Sequence, residues 1–341
     1  MIDNIVDKVK RGLHRGCHML WRLNVPTSRR WSASRARVLG FGLLLAAAAA
    51  HAQTLTTLRV GYSNVSGFAG LFIAKDQGMF ARHGILVDPV LIALNSTMPA
   101  ALVGGSLQIA GPTPPVFVQA VEGGLDLVVI AGCSVNDTTQ PGQGVIARPG
   151  VIIKTAKDFE GKRVGVPGLG SYMHVMFRRW LTDKGADDKK VNFVEIPFAQ
   201  GGDVLRAGNV DAIISTDPYY SRVLDAKQGT LVVRYLMEMP DGVFSIFYAA
   251  NRDWATHNPT LIKGFRESLD EANAYLAKEP VKSRDILARA MHLPPDAMAS
   301  IVIPKLKTVL RPADLTYWID ALAAQGITKG HPNAANLILQ P

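Results

Sequence analysis

The chain has 341 residues, 48% of them hydrophobic, with 37 basic and 28 acidic side chains and a net charge of +9. Nine of the basic and two of the acidic residues fall within the first 52, so the remaining 289 carry 28 basic against 26 acidic groups, too even a balance for a binder of nucleic acid or another polyanion. The same division removes Cys17 and leaves Cys133 alone, which excludes an intramolecular disulfide and a thiolate-rich metal site in the remainder.

Residues 1–52 read as an export signal. A basic stretch precedes an apolar run over 38–50, and Ala50-His51-Ala52 supplies a small-residue cleavage site before Gln53. The apolar run spans 13 residues, short of the roughly 20 that a membrane-crossing helix needs. The long basic stretch is consistent with a start at Met19. Ser28-Arg29-Arg30 could open a twin-arginine signal, but Trp31-Ser32-Ala33-Ser34 fits that pattern poorly, so the general secretory route is favoured. The reading places the rest of the chain in the periplasm.

From residue 53 onward, short β-rich runs alternate with helical ones. Strands are expected at 58–62, 85–90, 107–110 and 127–131, with helices at 69–83, 97–103 and 114–122 between them. A second block follows residues 144–148, with strands at 162–166, 191–195 and 211–215 and helices at 171–184 and 201–207. From about 244 the chain makes one more strand and turns mostly helical, with 258–277 the longest helix. Alternation of this kind predicts α/β sheets of mostly parallel strands, and two such blocks predict two lobes. The expected division is 53–146 with 246–341 for the first lobe and 147–245 for the second.

In such sheets, function sits beyond the carboxyl ends of the strands. Here those positions share one chemistry. Tyr62-Ser63-Asn64-Val65-Ser66-Gly67-Phe68, Gly111-Pro112-Thr113-Pro114-Pro115 and Cys133-Ser134-Val135-Asn136-Asp137-Thr138-Thr139 follow strands of the first block. Pro167-Gly168-Leu169-Gly170-Ser171-Tyr172 and Ser215-Thr216-Asp217-Pro218-Tyr219-Tyr220 follow strands of the second. Such clusters are also ordinary caps and turns, but five at one structural position point to a pocket. Neutral hydroxyls, amides and helix starts grip a small polar or anionic ligand without any catalytic group. Gly168-x-Gly170 is weak as a dinucleotide fingerprint, because Met173 stands where a third glycine belongs.

Three motifs carry a family resemblance. Residues 74–85, Ala-Lys-Asp-Gln-Gly-Met-Phe-Ala-Arg-His-Gly-Ile, Phe159 to Pro167 with Gly161-Lys162-Arg163-Val164-Gly165-Val166, and Gly208-Asn209-Val210-Asp211-Ala212 followed by Asp217-Pro218-Tyr219 occur in that order. They resemble periplasmic substrate-binding proteins of ABC importers, in the branch that handles nitrate, sulfonates, taurine and thiamine pyrimidines. The resemblance implies an α/β, two-lobed periplasmic binding protein fold of type II, each lobe a mostly parallel sheet flanked by helices, closing by a hinge over a small-molecule ligand. It also implies delivery to an ABC permease and ATPase complex in the inner membrane, with a monomer expected, no nucleic acid partner and no cofactor. Gln108 and Met79 depart from the family's usual Asp and Phe, at structural positions.

The ligand-binding candidates implied are Tyr62, Ser63, Asn64, Phe68, Thr113, Asn136, Ser171, Tyr172, Asp217 and Tyr219. None is an arginine, so an anion must be held by helix starts and hydroxyls. Asp217 suits an amine or a ring N–H, or simply caps the following helix. Phe68, Tyr172, Tyr219 and Phe244 could form an apolar wall, or plain core. A sulfonate-like organic anion is favoured, with a pyrimidine or amine ligand as the alternative. A lyase built on His174, or a ligand sensor, are readings from other classes. His51, His83, His257, His292 and His331 show no metal-ligand spacing.

Overall fold

The computed structural model describes residues 55–140 and 142–340, so the expected signal at 1–52 lies outside the described residues. Two five-stranded sheets organise them. The first uses β1 (Thr56–Tyr62), β2 (Ile85–Leu91), β3 (Ile109–Ala110), β4 (Leu127–Val135) and β10 (Phe244–Asn251), in the order β2-β1-β3-β10-β4. The second uses β5 (Gln143–Ala147), β6 (Arg163–Val166), β7 (Asn192–Glu195), β8 (Ala212–Thr216) and β9 (Thr230–Val233), in the order β7-β6-β8-β5-β9.

The sheets are built alike. In the first, β1 pairs parallel with β2 and β3, while β10 runs antiparallel between β3 and β4. In the second, β6 pairs parallel with β7 and β8, while β5 runs antiparallel between β8 and β9. The five strands of the second sheet, β5 to β9, follow one another in the chain, whereas β10 joins the first sheet only after the chain has passed through the whole of the second. Sequence reading assigned residues up to 146 to the first lobe; the pairing puts β5, from Gln143, in the second sheet.

The helices follow from local sequence. α1 (Ala69–Asp76) buries its six residues from Ala69 to Ala74. The single helix expected over 69–83 is broken by Gly78, whose φ of +64° puts the backbone in the left-handed region, before α2 (Met79–Arg82). α3 (Met98–Val103) and α4 (Pro114–Glu122) each carry proline in the first turn, where its missing N–H costs nothing. In the second lobe come α5 (Tyr172–Asp183), α6 (Gly201–Arg206) and α7 (Tyr219–Asp225). The tail forms α8 (Arg252–His257), α9 (Pro259–Lys278), α10 (Pro280–Ala290) and α11 (Pro312–Ala324).

Along α9, Ile262, Phe265, Leu269 and Ala272 repeat at helical spacing and are buried, with Phe265 stacked on Phe80 at 5.3 Å. Ile, Phe and Leu side chains stabilise by about 1.5–3 kcal/mol each when fully buried. α9 and α10 lie on α1, and α11 lies on α4, which brings the tail back to the first lobe. The Trp318 ring of α11 meets Tyr172 of α5 edge-on at 5.6 Å, and its indole N–H donates to the Phe244 carbonyl at 3.0 Å. None of the described helices is long and apolar enough to cross a membrane.

Candidate functional site

The carboxyl ends of β1, β3, β6 and β8 converge on the gap between the sheets. A cavity of about 80 Å³ lies there. Its polar lining includes Ser63, Ser66, Asn95, Thr113, Ser134, Gln143, Ser171, Thr216 and Ser245, and its apolar lining includes Val65, Met173, Phe198, Ile246, Val302 and Pro304.

Both lobes grip each other around it. The backbone N–H of Tyr172 donates to Thr113 Oγ1 at 3.2 Å, and Ser66 N–H donates to the Asp217 carbonyl at 3.0 Å. Gln119 donates its side-chain amide to the Gly170 carbonyl at 2.9 Å, and Ser96 Oγ donates to Glu195 Oε1 at 2.8 Å.

Four of the ten candidates line the cavity: Ser63, Thr113, Ser171 and Tyr172. Ser171 and Tyr172 open α5 and are buried, and both hydroxyls lack a hydrogen-bond partner among the described residues. Burial drives the Tyr172 phenol far above its ordinary pKa, so it is a hydroxyl donor at any physiological pH. The first-turn N–H groups of Met173 and His174 also donate to no described group. The α5 start therefore presents unused donors together with its partial positive charge.

The other six candidates are engaged elsewhere. Tyr62 packs edge-on against Phe68 and Phe72, with its pKa raised by burial and by Tyr219. Phe68 is fully buried between Tyr62 and Tyr248. Asn64 donates to the Tyr219 hydroxyl at 3.1 Å, joining the lobes outside the cavity, and the Tyr219 ring stacks on Phe198 at 6.0 Å.

Asn136 ties the two crossings between lobes together. Its amide donates to the carbonyls of Leu236 and Pro240 at 2.9 and 3.3 Å and accepts from Gln143 at 3.1 Å. Asp217 accepts the Ser221 N–H at 3.0 Å on Oδ1, holding α7, and the Val302 N–H at 2.6 Å on Oδ2. Burial raises its carboxyl above the ordinary range against these bonds. Of the expected aromatic wall only Tyr172 lines the cavity, and Phe244 is core.

His174 does not line the cavity. Its Nδ1 accepts the Gly170 N–H at 2.9 Å, fixing a turn in which Gly170 has φ +73°. Burial, with Arg178 nearby, pushes its pKa down to about 4, so the ring is neutral at pH 7 and serves the turn.

Asn95, Gln143, Ser245 and Val302 were not singled out by sequence. Asn95 had the signal already applied elsewhere, because it follows a strand, β2, at its carboxyl end. It donates to the Gly111 carbonyl at 3.2 Å and accepts the Thr113 N–H at 2.9 Å, holding the Thr113 turn against the cavity. Gln143 opens β5, Ser245 lies on the returning strand β10, and Val302 lies in the tail.

Similarity to known proteins agrees with this architecture. Residues 65–283 match the family described as NMT1/THI5 like. A curated relative from Escherichia coli (strain K12), named for aliphatic sulfonates binding, is 29% identical over 262 residues, covering 75% of this chain and 78% of its own. The alkanesulfonate-binding protein SsuA of Xanthomonas axonopodis pv. citri, solved bound to MOPS, superposes with a TM-score of 0.71 at 21% identity, over 84% of this chain and 98% of that one. The periplasmic nitrate-binding protein NrtA of Synechocystis PCC 6803 superposes with a TM-score of 0.70 at 16% identity, over 82% and 84%. At these identities the two solved structures establish the shared periplasmic binding protein fold. By sequence and by fold, the chain belongs to the NMT1/THI5-like family.

Proposed function

We infer that this chain is the solute-binding component of an ABC importer, exported to the periplasm, where it captures a small organic anion of sulfonate type between its lobes and presents it to a membrane permease. The observation that carries this reading is the start of α5, where Ser171 and Tyr172, with unpartnered hydroxyls, line a hydroxyl-rich cavity between two sheets. Such a site binds without making or breaking a bond, and the one histidine considered as a base, His174, is held in a turn beside it. The sulfonate and nitrate ligands named for relatives support an anion. We take the protein to act as a monomer.

Asp137 favours a second reading. It is an acidic residue among the lining, and a carboxylate there would suit an amine or a ring N–H. Thermal stability of the exported protein, screened against sulfonates, carboxylates, nitrate, pyrimidines and amines, separates the two. A ligand at 100 times its dissociation constant adds about 2.7 kcal/mol of stability. The anion reading expects the largest shift with a small sulfonate, and a shift confined to amines or pyrimidines would replace it.

A further inference from the structure

The cavity's lining is electrically one-sided. Among the described residues it holds no lysine, arginine or histidine, and its charged side chain is Asp137. Oδ1 of that carboxylate accepts both the N–H and the hydroxyl of Thr139, at 3.0 and 2.6 Å. The neighbouring Thr138 N–H is held by Asp241 at 3.1 Å, so a second acid stands behind the same wall. Lys305 follows the lining residue Pro304 but is exposed.

The positive feature of the site is the start of α5, a helix of 12 residues. Ser171 and Tyr172 are only 2% and 4% exposed, and their hydroxyls are unpartnered. A helix start carries roughly half a unit charge. It can offset one negative charge with the help of hydroxyl donors, but a second charge would go unbalanced in a closed site and would meet the Asp137 carboxylate.

We propose that Asp137 makes this site selective for singly charged head groups, admitting sulfonates and turning away doubly charged phosphonates and hydrogen phosphate. This rests on the anion reading above. It assigns Asp137 to specificity, with the grip itself left to the α5 start.

Calorimetric titration of the exported protein at about pH 9 tests this with methanesulfonate and methylphosphonate, which share a methyl group and a tetrahedral head but carry one and about two charges there. The expected result is at least ~10-fold tighter binding of the sulfonate. Asp137→Asn keeps an acceptor for the Thr139 turn and should narrow the gap about 10-fold by gaining phosphonate affinity, while Asp137→Glu should preserve it. Matched melting temperatures confirm that both variants fold.

Equal binding of the two anions by the native protein, or a gap unchanged in Asp137→Asn, overturns the proposal while sulfonate binding stands. Failure of both anions to bind overturns the anion reading and the proposal together.

Discussion

The Asp217 carboxylate accepts the backbone N–H of Val302 at 2.6 Å, a bond that spans from the second lobe to the tail segment fixed on β4 of the first. Its other oxygen holds Ser221 on α7, so one buried side chain organises a helix and latches the lobes. Asp217→Asn would set an amide donor against one of two N–H donors. We expect a loss of about 2 kcal/mol, read by chemical denaturation.

The same residue has a pH signature. Its folded pKa is raised by burial, so the stability it contributes is fully present below the ordinary carboxylate value of 3.8 and is lost as pH rises through the folded value. The stability margin of the native protein over Asp217→Asn should be widest near pH 4 and narrow toward neutrality. A constant margin across that range would show that the carboxyl is not perturbed.

His174 runs the other way. Its pKa falls from 6.5 to about 4 on folding, so its contribution is present above 6.5 and is lost as pH falls toward 4. The full loss is about 3 kcal/mol as an upper bound. His174→Asn keeps an acceptor for Gly170 and cannot titrate, so denaturation curves between pH 6.5 and 4 should be flatter for the variant.

Asn136→Ala removes a side chain that satisfies groups on both crossings between lobes, and leaves the Leu236 and Pro240 carbonyls without it. We expect about 2–3 kcal/mol of destabilisation and weaker ligand binding with the order of preference among ligands unchanged. A reordered ligand preference would place Asn136 in direct contact with ligand.

Cys133 is 7% exposed, its Sγ reaches the Gly67 carbonyl at 3.3 Å, and burial pushes its thiol up to about 12. A thiol reagent at pH 8 should label it only at the rate of unfolding, which makes it a native-state clock. Fast labelling of the folded protein would contradict that burial.

Most elements were legible because each carries its own local signal. The run from Pro114 to Glu122 announces a helix by its proline pair and its buried Val116, Phe117 and Val118. The break at Gly78 was not read, since an apolar pattern on both sides of a glycine looks continuous. β9, four residues long, was missed because Thr230–Val233 is a strand only through its pairing with β5.

The site divides along the same line. Ser63, Thr113, Ser171 and Tyr172 lie in turns that follow strands of their own blocks, and local motifs found them. Ser245, Ile246, Val302 and Pro304 reach the cavity by the return of β10 to the first sheet and by the tail, which no local motif records. Asn136 and Asp217 share the composition of pocket residues, and only their partners distinguish a strut from a ligand contact.

The late entry of β10 also governs the order in which this protein can be made. The second sheet is one contiguous run, β5 to β9, but the first cannot be completed that way: it waits for Phe244–Asn251 to be inserted between β3 and β4, although β4 ends at Val135. A nascent chain that has emerged only as far as the second sheet still displays an open slot with unpaired backbone beside β4. Its hydrophobic walls stay uncovered until the tail arrives. The first lobe therefore gains its stability late, and a fragment ending at Val135 would hold an unfinished sheet, unable to stand as an independent domain.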